Sequence, residues 1–410
     1  MEIKNPVLIL GLYNPGYALL RNFALRGIPV YGADVSGDSI GFETRYGTKM
    51  RCPNPIEDAD NWLLWMKSFA EKYGTGVVIL PTSDKYLIAI NDFALQLKEY
   101  GFIFTHLEKD LLKKLTSKKG IFELATNYSF PIPKTIFPKD ESQLLDFLSS
   151  ASFPLIAKPE FSKEWEAGEA AQIMKSQKVK KLYSTEEAVE FYKLMNSHYI
   201  NVLFQEIIEG EDSNLVYQVT YISSDLRPIV SLLGRKVRIT PIHFGCGTYV
   251  ELLDDDVLIA KVNDFLVKCG FRGVCGIELK YDAKDSQYKL IEINPRTGLW
   301  DEIGNIVGKD FGYSYYKDIL GDEVTVDNSA FEKAYWVSLR SDFRTFWDYK
   351  GEGMLTFETW VRSLLKRPIL FSDFHSDDIK LSVISLISMT YGFFGNFYKF
   401  IHRQLTGYKK

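Results

Sequence analysis

The sequence predicts an α/β protein in which a parallel-sheet domain precedes an α+β domain with antiparallel sheets. Strand and helix patterns alternate from Val7 to Tyr100, whereas short β-rich stretches dominate from Phe153 to Asn294. Alternating strands and helices indicate βαβ units and a parallel sheet, and successive strands indicate antiparallel pairing. At 410 residues, the chain is long enough for two or three compact units.

We predict three units along the chain. Residues 1–115 form a nucleotide-fold domain, and residues 116–325 form the α+β domain, with a lid subdomain at about 119–204. Residues 326–410 form an aromatic-rich, partly helical C-terminal extension.

Composition narrows the class of protein. The chain is 46% hydrophobic and 25% charged, as expected for a soluble globular protein, and its net charge of −4 gives no nucleic-acid footprint. The four cysteines (Cys52, Cys246, Cys269 and Cys275) contain no CxxC pair, which argues against a zinc ribbon or a disulfide framework. The N-terminus runs directly into a strand, so we expect a cytoplasmic protein rather than an exported one.

The turn from Gly11 to Gly16 follows the first strand and suggests dinucleotide binding, with Asp34 as the ribose-binding acid. A pyrophosphate-binding turn needs the spacing G-x-G-x-x-G so that backbone N–H groups approach the phosphates. Here the spacing differs, and Pro15 has no N–H to offer. A plain βα turn is the better interpretation.

The strongest pattern is a hairpin of two β-rich runs, Gly276–Tyr281 and Tyr288–Asn294, joined by a polar turn. If the turn centres near Asp285, Glu278 lies opposite Glu292 and Gly276 opposite Asn294, with the polar side chains on one face. Opposed carboxylates with Cβ atoms only about 5 Å apart repel each other unless a cation lies between them. The pattern therefore predicts a divalent-cation site in a central strand, with room over Gly276 for ligand or phosphate oxygens.

Two further stretches have the residue types of a phosphate site. Pro159 forces Lys158 into an extended conformation at the end of a short strand, from which its ammonium can reach a phosphate. The loop 162–170 follows, as a phosphate-covering loop would, although three glutamates make it more acidic than expected. In the stretch Gln205–Asp212 an apolar strand ends at a glycine flanked by acids, which alone is equally typical of a solvated turn.

Taken in this order, the three stretches resemble the ATP-grasp superfamily, and within it the carboxylate–amine ligases of bacterial cell-surface biosynthesis. The resemblance covers nearly the whole chain, and the ending Glu292-Ile293-Asn294-Pro295-Arg296 is its most specific part. It implies a nucleotide site formed by Lys118, Lys158, Gln205, Glu206, Ile208 and Asp212. It also implies a magnesium site formed by Glu278, Glu292 and Asn294, and catalytic phosphate contacts from Lys158, Arg296 and Arg238.

The resemblance implies an ADP-forming ligase that uses ATP and Mg²⁺. ATP would phosphorylate a carboxylate, and an amine, expected to be an amino acid, would displace phosphate from the acyl phosphate. The substrates would be gripped by Thr82–Asp84 and Phe244–Thr248, and the pathway would be peptidoglycan or surface-polysaccharide synthesis. Two alternatives remain open: a regulatory nucleotide-binding protein without ligase activity, and a dinucleotide-dependent oxidoreductase.

The C-terminal segment from Leu381 to Tyr398 contains 18 residues without a charge. As a helix, it would have a polar stripe beside a broad apolar face. The segment is at the lower length limit for crossing a bilayer, and its serines and glycines reduce its hydropathy. We predict a helix that binds a partner or the inner membrane surface, with Lys399, Arg403, Lys409 and Lys410 meeting acidic headgroups. Packing on the protein's own core is an equal alternative.

Overall fold

The structure, a computed structural model, describes residues 4–160, 168–174, 177, 179–327, 329 and 333–389. Its first sheet is parallel, with the strand order β3-β2-β1-β4-β5. These strands are β1 (Val7–Leu10), β2 (Val30–Asp34), β3 (Thr48–Arg51), β4 (Val77–Pro81) and β5 (Phe102–Ile103). Helices α1 (Asn14–Leu25), α2 (Ala59–Tyr73), α3 (Asp84–Asp92) and α4 (Ala94–Glu99) connect them. Since helices cover both faces, β1 is an uninterrupted apolar run and is wholly buried.

A small antiparallel sheet follows, with the order β6-β9-β7-β8. Its strands are β6 (Thr135–Ile136), β7 (Leu155–Pro159), β8 (Lys180–Leu182) and β9 (Val202–Glu206). The accompanying helices are α5 (Lys109–Leu115), α6 (Lys118–Asn127), α7 (Glu141–Leu148), α8 (Gly168–Met174) and α9 (Thr185–Ser197). Most of the predicted phosphate-covering loop, residues 161–167, lies outside the described residues.

The third sheet has the order β14-β13-β10-β11-β12-β15-β16 and is antiparallel except for the β15–β16 pair. Its strands are β10 (Leu215–Ile222), β11 (Pro228–Thr240), β12 (Cys246–Leu253), β13 (Gly273–Asp282), β14 (Gln287–Asn294), β15 (Tyr335–Val337) and β16 (Ile369–Phe371). Helices α10 (Asp256–Lys268), α11 (Phe311–Ile319), α12 (Leu339–Gly351) and α13 (Phe357–Leu364) pack around it, and a C-terminal helix occupies 379–389. Short 3-10 helices lie at Ile40–Phe42, Asp212–Asn214 and Asp301–Ile306. The predicted fold class is confirmed.

One expectation about this sheet was wrong. The sequence predicts a central position for β14, but this strand lies at the sheet edge, where the backbone N–H of Leu290 donates to the carbonyl of Pro131 (2.8 Å). Helix α6 packs against β14 and buries the apolar side chains of this edge strand, which explains why its sequence resembles that of a central strand. The C-terminal extension contributes β15 and β16 to the third sheet as well as helices. The predicted domain boundaries stay a prediction.

The parallel sheet and the third sheet share one apolar core. Val7, Ile9 and Phe23 of the first domain pack in the same cluster as residues of β10 and α11. Hydrogen bonds fix this contact, since the Tyr315 hydroxyl donates to the Ile79 carbonyl (3.1 Å) and accepts from the Thr105 amide (3.0 Å). This contact holds the carboxyl ends of β1 and β4 beside the β13–β14 hairpin. No helix within the described ranges has both the length and the hydropathy needed to span a membrane.

Candidate active site

The β13–β14 hairpin has the register predicted from the sequence. Glu278 pairs with Glu292, and Gly276 pairs with Asn294, with the turn between Asp282 and Gln287. The register shifts after Glu278, because Leu279 pairs with Leu290 and leaves an additional residue on β14. The two carboxylates therefore lie on one face of neighbouring strands, as predicted.

The space above Gly276 is occupied by protein rather than left for a ligand. A Cβ at this position would lie 1.5 Å from the hydroxyl of Tyr217, so glycine is required for the tyrosine ring to cross β13. This ring also lies 5.7 Å from the ammonium of Lys236. The predicted room for phosphate oxygens is therefore filled by Tyr217, which pairs with Glu278 and lies on the same face of the sheet.

A cavity of about 360 Å³ lies over this carboxylate face, between the three sheets. Cationic, acidic and apolar side chains all line this cavity, which is open to solvent on one side. The charged and polar lining residues include Lys118, Lys158, Lys280, Arg296, Asp84, Glu278, Glu292 and Asn294. The apolar lining includes Ile156, Val179, Ile208, Leu215 and Ile291. The structure thus brings together all but two of the predicted site residues.

Two lysines approach the cavity from the small sheet and the helix before it. Lys118 is the first residue of α6, and the hydroxyl of Ser117 caps the first turn of this helix. The backbone N–H of Lys118 donates to the carbonyl of Glu160 (3.1 Å). This bond fixes the helix N-terminus, a favourable position for anions, beside the end of β7. Lys158 on β7 donates to the side-chain oxygen of Gln205 (3.0 Å), and the side-chain nitrogen of Gln205 donates to the hydroxyl of Thr135 (2.8 Å). Gln205 therefore orients Lys158 through its side chain.

Burial and the neighbouring Lys118 lower the pKa of Lys158 to about 8, although Glu292 and Glu278 act in the opposite direction. If Lys158 binds nucleotide phosphate, binding favours its protonated form. Below pH 8 the ammonium is already charged, whereas above pH 8 binding must take up a proton. We therefore expect the affinity for Mg-ATP to fall by about tenfold per pH unit above pH 8.

Isothermal titration calorimetry in buffers of different ionisation enthalpy measures both the affinity and the proton uptake. The matched control is Lys158→Arg, which stays charged and should remove the change in affinity near pH 8. An unchanged wild-type affinity from pH 7 to pH 10 would contradict a phosphate-binding role for Lys158.

Lys236 is a site residue that sequence reasoning missed. It is buried on β11, and its ammonium forms an ion pair with the carboxylate of Glu278. Although burial lowers the pKa of Lys236, the neighbouring Glu278 holds that pKa above its ordinary value. One pattern in the sequence could have indicated Lys236. It lies two residues before the predicted Arg238, and residues two apart on a strand lie on the same face.

The structure does not bring Arg238 to the cavity, in contrast to the prediction. Lys236 pairs with Val250 and Arg238 pairs with Tyr249, so Val237 is an additional, bulged residue. A bulge reverses the alternation of side chains, so Arg238 faces away from Lys236. Its guanidinium forms two hydrogen bonds of 2.7 Å with the buried carboxylate of Asp342 on α12.

Asp212 also lies outside the cavity lining. Its carboxylate accepts from the hydroxyl of Tyr349 (2.6 Å) and from the backbone N–H of His243 (3.2 Å). Asp212 therefore joins the start of β10 to α12 and to the loop before β12. Glu206 lines the cavity, but its carboxylate accepts from the backbone N–H of Ser152 (2.8 Å).

Arg296 connects the cavity to the carboxyl edge of the parallel sheet. Its guanidinium donates to Asp84 at the start of α3 (2.7 Å) and to the amide oxygen of Asn294 (3.2 Å). The edge of a parallel sheet beside its central strands is the usual position of ligands in open α/β sheets. Asp84 belongs to the predicted substrate stretch Thr82–Asp84, whereas its ion pair with Arg296 was not predicted.

The turn after β1 has the geometry of a plain βα turn. The carboxylate of Asp34 accepts from the backbone N–H of Leu12 (2.8 Å), from Ser39 (2.8 Å) and from Tyr86 (3.0 Å). A Cβ on Gly16 would lie 2.0 Å from the carbonyl oxygen of Gly11, so this glycine is needed for close packing of the turn. The carboxylate of Asp34 is therefore hydrogen-bonded within the turn, and this does not support the alternative in which Asp34 binds the ribose of a dinucleotide.

The polar face of the hairpin suits a magnesium ion. Glu278, Glu292 and Asn294 supply only oxygen donors, which hard divalent cations prefer. Across the described ranges, no group of three or more His, Cys, Asp and Glu residues is arranged to hold a metal. The candidate donor set is two carboxylates and one amide.

The architecture and the cavity together characterise the fold. A parallel-sheet domain, a small antiparallel sheet and a larger antiparallel sheet enclose lysines from one side and a Glu–Glu–Asn face from the other. The predicted resemblance to the ATP-grasp superfamily is confirmed as a resemblance by the similarities described next.

The chain is 27% identical over 231 residues to D-aspartate ligase from Enterococcus faecium (strain Aus0004). This region covers 54% of the chain and 53% of that protein, so the chain spans about half the length of the curated relative it matches. No protein-family model matches the chain.

Two solved structures with similar folds are themselves ligases or synthetases by name. N5-carboxyaminoimidazole synthetase from Staphylococcus aureus, complexed with ADP, matches with a TM-score of 0.62 and 13% identity over 82% of each chain. L-amino acid ligase from Bacillus licheniformis matches with a TM-score of 0.57 and 14% identity, covering 78% of this chain and 75% of that one. At such low identity the likeness establishes the fold alone.

Proposed function

We propose that the chain is an ADP-forming carboxylate–amine ligase that uses Mg-ATP. The observation that carries this proposal is the single cavity in which Lys118, Lys158 and Arg296 meet the opposed pair Glu278 and Glu292. Phosphoryl transfer depends on positioning and on stabilising charge at the transferred group, and these residue types supply both. D-aspartate ligase, the curated relative, catalyses by name the same class of reaction.

ATP would bind between the small sheet and the β13–β14 hairpin. The apolar wall formed by Ile156, Ile208 and Ile291 suits the adenine ring, and the backbone of 205–208 offers hydrogen-bonding groups at its edge. Lys118 and Lys158 would contact the phosphates from the opposite side. Asp212 is already hydrogen-bonded within the protein, so we no longer assign it to the ribose.

Glu278, Glu292 and Asn294 would hold magnesium, which would supply positive charge to the phosphates during transfer. Lys236 would keep the carboxylate of Glu278 in place through their buried ion pair. Arg296 would contact the transferred phosphoryl group from the side of the parallel sheet. Arg238 is committed to Asp342, so we assign it a structural role.

In the first step, a carboxylate oxygen of the substrate attacks the γ-phosphorus, and the bond to ADP breaks. In the second step, the amine attacks the acyl carbon, the bond to phosphate breaks, and the amine loses a proton as the amide forms. Because Arg296 reaches Asp84, we expect the carboxylate and the amine at the carboxyl edge of β1 and β4. By analogy with the named relatives, we propose an amino acid as the amine.

The decisive experiment measures ADP release across pairs of carboxylic acids and amines, followed by mass spectrometry of the product. A ligase releases ADP only when both substrates are present, and the product mass equals acid plus amine minus water. A regulatory nucleotide-binding protein would bind Mg-ATP without amine-dependent release, and this result would overturn the ligase proposal.

The thiol of Cys246 provides a test of the nucleotide site that needs no substrate. Cys246 is exposed and lines the cavity, whereas burial raises the pKa of the Cys52 thiol to about 11 and that of Cys269 to about 12. N-ethylmaleimide should therefore modify Cys246 first. At about ten times its Kd, Mg-ATP should slow this modification by about tenfold, because only about a tenth of the cavities stay free. Mg²⁺ alone is the control, and equal rates with and without Mg-ATP would exclude ATP from this cavity.

A further inference from the structure

Asp84 places a carboxylate on the side of the cavity that the parallel sheet forms. It is the first residue of α3 and follows the short turn after β4. Its side chain is 49% exposed, and it lines both the main cavity and a smaller one that Lys118, Glu292 and Asn294 also line. A molecule in the main cavity can therefore reach Asp84, at the point where the parallel sheet meets the β13–β14 hairpin.

Among the described residues, four acids line the main cavity, and three of them already have a partner or a proposed ligand. The carboxylate of Glu206 accepts from a backbone N–H (2.8 Å), and that of Glu278 is paired with Lys236. Glu292 belongs to the proposed magnesium site. Asp84 is the fourth acid, and neither the nucleotide phosphates nor the metal accounts for it. Since a negative charge near phosphates is unfavourable unless it binds a cation, its position calls for a cationic ligand.

The ion pair with Arg296 uses only one oxygen of the Asp84 carboxylate. Nε of Arg296 donates to Oδ1 of Asp84 (2.7 Å). The other guanidinium nitrogens donate to the Thr297 carbonyl (3.3 Å) and to the Asn294 amide oxygen (3.2 Å). Within the part of the chain that the structure describes, Oδ2 of Asp84 accepts no hydrogen bond. Because a carboxylate can accept about four hydrogen bonds, Asp84 can bind a second cationic group beside Arg296.

We propose that Asp84 binds the ammonium group of the amine substrate, an inference that rests on the proposed ligase function. A primary amine is mainly protonated at neutral pH, and Lys118 and Lys158 would repel it from the phosphate side of the cavity. Asp84 offers the opposite charge next to Arg296, which would contact the transferred phosphoryl group. The reacting atoms must come within about 3–3.5 Å of each other, and this position holds the amine close to the acyl phosphate. Asp84 therefore selects cationic amines over uncharged nucleophiles.

The test compares two nucleophiles with the carboxylic acid that supports ADP release in the screen described above. One is the amine from the same screen, and the other is hydroxylamine, which is uncharged at neutral pH and converts an acyl phosphate into a hydroxamate. Asp84→Asn keeps an oxygen that accepts from Arg296 but removes the negative charge. The matched control is Asp92→Asn, an exposed position at the other end of α3. Thermal melts verify that each variant is folded.

We expect Asp84→Asn to lower kcat/KM for the amine by about tenfold or more relative to kcat/KM for hydroxylamine, because a hydrogen bond between two charged groups is lost. The main part of this change should be a higher KM for the amine. Asp92→Asn should keep the wild-type ratio. Asp84→Glu restores the negative charge and should recover part of the preference for the amine.

If Asp84 only orients Arg296, then Asp84→Asn slows both nucleophiles equally and leaves their ratio unchanged. This result would overturn the inference and leave the ligase proposal intact. If the wild type forms no hydroxamate and shows no amine-dependent ADP release, the proposed function fails, and the inference about Asp84 fails with it.

Discussion

Replacing Glu292 by glutamine is expected to lower turnover by ~100-fold or more, because a metal site contributes several kcal/mol to stabilising phosphoryl transfer. Glutamine keeps the size of the side chain and one oxygen, but it removes the charge opposite Glu278. The remaining carboxylate of Glu278 is already paired with Lys236, so the variant would lack a carboxylate dedicated to the metal.

The fold of the Glu292→Gln variant should stay intact. The variant relieves repulsion with Glu278 but also removes a negative charge near Lys158, so we expect its stability without ligand to change by less than ~1 kcal/mol. Mg-ATP at 100 times the wild-type Kd should stabilise the wild type by ~2.7 kcal/mol and the variant far less.

Thermal melts with and without Mg-ATP, together with ADP-release rates, measure both effects. Glu71→Gln on α2 provides the same substitution at an exposed position outside the cavity lining and should behave as wild type. Normal turnover in Glu292→Gln would remove the main support for a magnesium site on this hairpin.

Replacing Arg238 by methionine is expected to destabilise the protein by ~3–5 kcal/mol, because it leaves a buried carboxylate without its cation. Asp342 also accepts hydrogen bonds from Thr248 (2.9 Å) and Trp360 (2.8 Å), so it connects β12, α12 and α13. Loss of the guanidinium would therefore weaken the attachment of the C-terminal extension to the third sheet.

A double variant separates this structural role from the catalytic role predicted from the sequence. Arg238→Met combined with Asp342→Asn removes both charges and keeps an oxygen that accepts from Thr248 or Trp360, so much of the lost stability should return. Urea unfolding measures the change, and Arg235→Met, a half-buried arginine on the same strand, is the control. If the double variant is stable but has lost ADP release, Arg238 acts in catalysis after all.

The sequence by itself determined the parallel sheet and the register of the β13–β14 hairpin. Both depend on local information: the alternation of strands and helices, the period of two along a strand and a short turn near Asp285. The position of Lys158 at the end of β7 was equally local, since Pro159 restricts the residue before it. For these features, neighbours in sequence are also neighbours in space.

Only the tertiary structure decided that Lys236 pairs with a carboxylate of the cavity and that Arg238 pairs with a carboxylate in the core. Lys236 meets Glu278 across 42 positions of sequence, and Arg238 meets Asp342 across 104. The bulge at Val237 separates the two side chains, and a bulge of this kind has no periodic signal in the sequence. Likewise, the sequence suggests free space over Gly276, but in the structure β10 places the ring of Tyr217 there. These contacts form between side chains that are far apart in sequence, and they depend on packing and charge pairing. A local sequence pattern contains no information about such contacts.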